Sequence, residues 1–219
     1  MPLRAKDFIP LYTRLGEKGF DFIPELLKIA REEHKIDFPF DSKNFEQSWR
    51  VVKGKGLEKI LELMLKRQIC ATDLEILRLS DIGEKLKIDF GEYGNHYPDV
   101  DLVVYQPRRN RILAILSIKA SLRERATQTA YWRLKLRDYS HTRNVKVYLL
   151  TPNSDDILRN NHDPIKQRAV LETDIDGIYI VNTPERSIDD YLYPGLESRI
   201  RLIDDLIDDL ADLAARKYL

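Results

Sequence analysis

Cysteine is nearly missing: Cys70 is the only one in 219 residues. An intramolecular disulfide is impossible, a cysteine-built zinc site is excluded, and a reducing, intracellular setting is the expectation. Histidine is scarce as well. His34, His96, His141 and His162 lie far apart without ligand spacing, which leaves little to hold zinc or to build a histidine-centred catalytic motif. Long apolar runs are absent: nowhere do eighteen apolar residues follow one another, so no transmembrane helix is expected. The opening "MPLRAKDFIPLY" lacks the apolar core and small-residue cleavage site of a signal peptide, and the sequence predicts a soluble, cytoplasmic chain with no membrane partner. The glycines of "GEYGNHYPD" do not have phosphate-loop spacing, and no glycine-rich nucleotide fingerprint occurs elsewhere. Nor is there an excess of one charge: 36 Lys and Arg balance 36 Asp and Glu. Overall charge therefore neither demands nor excludes a nucleic-acid partner.

The charges that are present are unevenly spread. From Arg108 to Lys146 eleven Lys or Arg face only Glu124 and Asp138, while "SIDDYLYPGLESRIRLIDDLIDDLADL" is rich in aspartate. A basic middle is flanked by acidic ends. The length suits one large domain with its own core, and no repeat, low-complexity tract or long linker divides it.

Three segments have different periodicity. Residues 1–70 predict a helical layer, since "DFIPELLKIAREEH", "SKNFEQSWRVV" and "KGLEKILELMLKRQI" carry apolar positions three and four apart. In the last of these Leu57, Ile60, Leu61 and Leu65 make one stripe, and Glu58 and Glu62 share another flank one turn apart. From about 85 to 182 strand-like runs appear: "LKIDFGEYG", "DVDLVVYQ", "RILAILSIK", "VKVYLLTPN" and "GIYIVNT". "QPRRNR" predicts a hairpin between the second and third. "SLRERATQTAYWRLKLRDY" is long enough for a crossover helix joining parallel strands, with Ser121 and Glu124 spaced as a capping box. Residues 187–219 predict a C-terminal amphipathic helix bearing Ile200, Ile203, Leu206, Ile207, Leu210 and Leu213, packed on the domain or on a second subunit. The expected fold is α/β: a mixed central sheet flanked by helices, in a single domain of residues 1–219.

Alternation along a strand puts Ser117 and Lys119 on one face, and Asp99 and Asp101 on one face of the preceding strand. If the two strands pair, an aspartate and a lysine meet at the sheet end beside a helix start. That arrangement suits phosphodiester hydrolysis: a carboxylate holds Mg²⁺, and a lysine orients the attacking water or stabilises negative charge. "YPDVDLVVY" followed by "ILAILSIK" resembles the Pro-Asp … (Asp/Glu)-x-Lys nuclease superfamily, to which most type II restriction endonucleases and several repair and recombination nucleases belong. The resemblance covers residues 54–182, the expected catalytic core. It implies a restriction-endonuclease-like core, Asp99 as metal ligand and Lys119 as catalytic lysine.

The departure is Ser117, where the superfamily pattern has Asp or Glu. A subset resembling the restriction enzymes that read GC-rich sites also has serine there and moves the acid to about thirteen residues beyond the lysine; here that place is Trp132. Glu58 is the first replacement, since "GKGLE" resembles the opening of the superfamily's first core helix; Asp101 is the second and Glu124 the third. Arg123, Glu124 and Arg125 resemble the Arg-(Asp/Glu)-Arg reader of some of those enzymes. Arginine suits bidentate contact with guanine and a carboxylate suits cytosine N4. The other reading of this trio is an exposed helix face with Glu124 as a cap. Gln128, His96 and the hairpin-tip residues Arg108 and Arg109 are further expected DNA contacts, or, for the last two, a solvated turn.

The resemblance implies a type II restriction endonuclease acting with Mg²⁺ on a short palindromic G·C-containing duplex site, as a homodimer, leaving 5′-phosphates, with a cognate DNA methyltransferase protecting the host. A structure-specific repair or recombination nuclease, and a catalytically silent DNA-binding protein with a decayed site at Ser117, are the alternatives.

Overall fold

The computed structural model describes residues 3–36, 43–122, 125–160, 166–181, 187–193, 195 and 197–216, with Lys43 described by its backbone alone. Three helices form the N-terminal layer: α1 (Phe8–Arg14), α2 (Ile23–Ile36) and α3 (Lys43–Gln68). Pro24 stands in the first turn of α2, where its missing N–H goes unmissed. The stripe predicted from Leu57 to Leu65 is buried along α3, together with Trp49 and Met64.

Two of the expected helices are one. α3 runs unbroken through Gly54 and Gly56 and joins the two segments read separately in the sequence. The two glycines do different things. A Cβ at Gly56 would come within 2.6 Å of the Phe8 ring, so glycine here lets α1 lie directly on α3, whereas nothing lies within 4 Å of a Cβ at Gly54.

The main sheet has six strands in the order β1-β4-β5-β6-β7-β8. These are β1 (Glu75–Leu77), β4 (Leu102–Gln106), β5 (Arg111–Ile118), β6 (Lys146–Thr151), β7 (Gly177–Ile180) and β8 (Ile200–Leu202). A short α4 (Leu79–Ile82) follows β1, and β2 (Ile88–Asp89) pairs with β3 (Asn95–His96) in a separate two-stranded sheet. The first expected strand, "LKIDFGEYG", thus stays outside the main sheet: Gly91 and Gly94 turn the chain back at φ 66° and 78°. β4 and β5 form the expected antiparallel hairpin through Pro107–Arg109 and a left-handed Asn110. β5, β6, β7 and β8 are mutually parallel, joined in part by α5 (Ala126–Asp138) and α6 (Lys166–Asp174). Their C-terminal ends share one edge, where an open parallel sheet presents its loops for function.

Alternation divides the core. Leu102, Val104, Leu116 and Ile118 pack under α1, α2, α3 and the C-terminal α7 (Leu206–Ala215), while Val103, Ile115, Val147 and Leu149 pack under α5 and α6. The C-terminal segment is only partly the helix that its periodicity predicted. Ile200 lies on β8, parallel to β7, and Ile203 opens a 3₁₀ turn. Leu206, Leu210 and Leu213 do form a helical stripe, and it is buried within the same chain.

Exchanging the two α3 glycines separates propensity from packing. Gly54→Ala should stabilise the fold by about 1 kcal/mol, the glycine-to-alanine difference in a helix. Gly56→Ala should destabilise it by about 1–3 kcal/mol through overpacking on Phe8. Urea denaturation of both variants checks this, and a stabilising Gly56→Ala would refute the contact.

Candidate active site

β5 ends at Ile118, and the chain holds that end from several sides. Asp101, just ahead of β4, accepts hydrogen bonds on one carboxylate oxygen, Oδ2, from the Ile118 N–H (2.6 Å) and from Lys119 Nζ (3.1 Å). Its own N–H donates to the Leu116 carbonyl at 3.1 Å, and the Lys119 N–H donates to Leu150 of β6 at 3.0 Å. Lys119 is thereby fixed at the junction of three strands with only 5 % of its surface exposed. A buried ammonium requires such a partner. Both contacts fall on Oδ2, which leaves Asp101 Oδ1 without a hydrogen bond among the described residues.

Glu58 joins this pair from α3. Its carboxyl is half-buried and raised above the ordinary glutamate range, first by desolvation and then by the neighbouring Asp101 carboxylate; Lys119, Lys55 and Arg78 act in the opposite sense. Glu62, one turn on along the same flank, is engaged elsewhere: it accepts from Lys66 at 2.8 Å and Arg78 at 2.5 Å, and these partners hold its carboxyl below the ordinary range despite burial.

The two aspartates of "PDVD" part company. Asp101 meets the lysine, whereas Asp99 is exposed and accepts from Gln128 Nε2 of α5 at 2.6 Å. Alternation had placed them on one face, but both precede the regular part of β4, where the two-residue repeat does not yet bind. Ser117 is 1 % exposed and shares a 3.2 Å hydrogen bond with Thr129 of α5. Its hydroxyl is thus committed to the contact between sheet and helix. Trp132 is half-buried among the apolar residues under α5 and adds no acid.

Of the expected DNA contacts, Arg125 is exposed immediately before α5, and Arg123 and Glu124 lie outside the described residues. Gln128 is exposed beside Asp99. Ser121 does not stand at the helix start: α5 begins at Ala126, and the Ser121 hydroxyl donates to Asp155 at 2.8 Å. His96 is exposed in the small hairpin, its Nε2 3.1 Å from the Tyr93 carbonyl. The hairpin-tip arginines are far from Lys119, because β5 separates them by about 25 Å at the usual strand rise. Arg109 instead donates to the carbonyls of Ala214 and Arg216 at 3.1 and 3.2 Å, as does Arg111 at 2.9 and 3.2 Å, closing the C-terminus of α7. Arg133 and Lys146 are likewise taken up internally, by Asp176. The anchors Asp155 and Thr129 were missed by sequence reasoning; "PNSDD" reads as an ordinary turn and carries no sign of a partner 34 residues away.

The raised Glu58 carboxyl gives a signed prediction. In the unfolded chain Glu58 ionises in its ordinary range, so between that range and its raised folded value folding takes up a proton, and stability rises as pH falls through the window. Above the window the ionised Glu58 weighs against folding. Glu58→Gln should therefore melt roughly 1–4 °C above the wild type at pH 8, with the gap narrowing on acidification. Scanning calorimetry from pH 4.5 to 8 measures it; a gap that widens on acidification refutes the assignment.

The family model of BsaWI restriction endonuclease type 2 matches residues 78–205, more than half of the chain. MjaVIP of Methanocaldococcus jannaschii, named as a type II restriction enzyme, is 34 % identical over 152 residues, 62 % of this chain and 67 % of that one. HpyAORF263P of Helicobacter pylori, also named as a type II restriction enzyme, is 41 % identical over 117 residues; the match spans 47 % of this chain and 59 % of the relative's length. In structure, PspGI in complex with its substrate DNA shares the fold with a TM-score of 0.57 over 96 % of this chain and 93 % of that one, at 15 % identity. No helix among the described residues is long and apolar enough to cross a membrane. With a lysine and an aspartate clasped at the end of a central strand and a family match across that core, the chain belongs to the BsaWI family of type II restriction endonucleases, site-specific nucleases acting on DNA.

Proposed function

We propose that the protein hydrolyses both strands of duplex DNA at a short palindromic site containing G·C pairs, with Mg²⁺ as cofactor, as a cytoplasmic homodimer whose host site is protected by a cognate methyltransferase. The observation that carries the reading is the Asp101–Lys119 contact, with Glu58 of α3 under the charge of both. A divalent cation fits these residues. The Asp101 carboxylate raises Glu58, which a cation would relieve, and Asp101 Oδ1 has no hydrogen bond among the described residues. Among the described residues no three acidic, histidine or cysteine side chains converge as a ready-made cage. This suits Mg²⁺, which is held by one or two carboxylates and completes its shell with water and phosphate oxygens.

Asp101 and Glu58 would hold the ion, which when bound supplies Lewis-acid polarisation of the phosphate and a water of lowered pKa. Lys119, held by Asp101, presents its ammonium where negative charge develops on the phosphate and where the attacking water must be oriented. Asp99 keeps the loop before β4 against α5 through Gln128 and serves this site indirectly. Arg125, with Arg123 and Glu124, reads base edges: arginine toward guanine and the carboxylate toward cytosine. A palindrome presents one such reader to each half-site, and a twofold dimer supplies one active site per strand.

Digestion of unmethylated phage DNA tests the reading. Purified protein with Mg²⁺ should give discrete fragments, and EDTA should abolish them. Sequenced ends should share G·C pairs within a palindrome and carry 5′-phosphates. Asp101→Asn and Lys119→Ala should each lower cleavage by at least about a hundredfold. Asp99→Asn, which keeps a hydrogen-bond acceptor for Gln128, should lower it about tenfold or less. Sedimentation should give twice the chain mass of 25.7 kDa. Cleavage that survives EDTA, or that depends on Asp99 more than on Asp101, overturns this assignment of the site.

A further inference from the structure

The segment between Lys119 and α5 is held from outside the catalytic group. Asp155 belongs to the loop that leaves β6, and its Oδ2 accepts from the Ser121 hydroxyl at 2.8 Å and from the Leu122 N–H at 2.7 Å. Leu122 is fully buried, and its carbonyl accepts from the N–H groups of Arg125 (3.0 Å) and Ala126 (2.9 Å), so the first turn of α5 hangs from the residue that Asp155 holds.

The loop carrying Asp155 is itself braced. Asn153 is buried with φ 45°; its N–H donates to Thr151 Oγ1 at 2.9 Å, and its Oδ1 accepts from the Leu158 N–H at 3.1 Å. On the other side stands Lys53 of α3, five residues before Glu58 on the same helix. Burial lowers the Lys53 ammonium from its ordinary range, and the Asp155 carboxylate acts to raise it. One carboxylate thus touches the chain two residues beyond Lys119, supports the start of α5 and faces the helix that carries Glu58.

We propose that Asp155 is a positioning residue for base recognition: it fixes Ser121 and Leu122, so that Arg125 and the first turn of α5 leave the catalytic strand at a single register. The proposal rests on the reading of the residues after Lys119 as the base-contacting element. Its physical basis is that two hydrogen bonds to one carboxylate, one of them from the backbone, define both position and direction of the outgoing chain. A turn with only its covalent tether to Lys119 would sample several registers, and base-edge discrimination depends on placement. Cutting and reading are then coupled because both begin from residues 118–122.

The test compares cleavage of a duplex carrying the site found by fragment-end sequencing with cleavage of duplexes differing by one base pair. It uses wild type, Asp155→Asn, Asp155→Glu, Ser121→Ala and Arg125→Ala, with kcat and KM measured separately. Asp155→Asn should lower the ratio of correct to altered kcat/KM about tenfold, the scale of one charge-assisted hydrogen bond, while cleavage of the altered duplexes changes less than about threefold. Asp155→Glu should recover part of the ratio. A purely structural role would lower all rates together and leave the ratio where it was; that result overturns the proposal. Should Asp155→Asn fail to fold, Ser121→Ala decides: it leaves the backbone bond in place and should reduce the ratio about threefold, and an unchanged ratio again overturns the proposal. If Arg125→Ala keeps full discrimination, the base-contacting reading itself fails. If Arg125→Ala loses discrimination and Asp155→Asn does not, only the positioning role of Asp155 fails.

Discussion

A carboxylate that receives two donors at the end of a hairpin governs the rest of this site. Asp101 comes from the start of β4, and both of its partners, the Ile118 N–H and the Lys119 ammonium, come from the end of β5. One of these bonds extends the strand ladder where it would otherwise fray, and the other neutralises a lysine that has almost no solvent. Without the carboxylate the buried ammonium would be left without its ion-pair partner. Burial first, and then this same carboxylate, raise Glu58. An arrangement with surplus negative charge, partly buried and anchored at a strand end, is what a nuclease needs to receive a cation and a phosphate together.

The basic middle of the chain divides between architecture and function. Arg109 and Arg111 close the C-terminus of α7, and Arg133 and Lys146 share Asp176 in a partly buried cluster between α5 and the sheet. These cations hold elements together. Of those that follow Lys119, Arg125 stands exposed immediately before α5. The charge count of the segment therefore overstates its surface potential, and position along the fold sorts the two uses.

Several expectations read from the residues were met because their physical signal is local. Four of the five runs of β-branched and aromatic residues gave the four central strands; the hairpin follows from a Pro-Arg-Arg-Asn turn, and the crossover from a segment too long for a turn. The errors also have causes. Two segments read apart form one helix through Gly54 and Gly56, and Phe8, far away in sequence, makes Gly56 a packing requirement inside it. Ile200 and Ile203 fitted a helical period, but Ile200 pairs with Ile178 of β7 on the edge strand β8 instead. β1 and β8 are three residues each, too short to show a period, and form only because a neighbouring strand offers an edge.

The sequence by itself determined the chemical inventory: one lysine following an apolar strand, acids ahead of the preceding strand, no second cysteine, no clustered histidine, and an arginine-rich turn directly after the lysine. It determined the hairpin that brings acid and lysine to the same end, because spacing and turn residues act over a few residues only. Tertiary structure alone decided which aspartate meets Lys119, since both precede the regular part of β4 and Asp99 instead accepts from Gln128 of α5. It also decided that Glu58 is under the charges of Asp101 and Lys119 while Glu62 pairs with Arg78, and that Asp155 holds the chain beyond the lysine. Those choices depend on how helices and loops distant in sequence lie on the sheet, and burial and charge act there through space, where no local pattern records them.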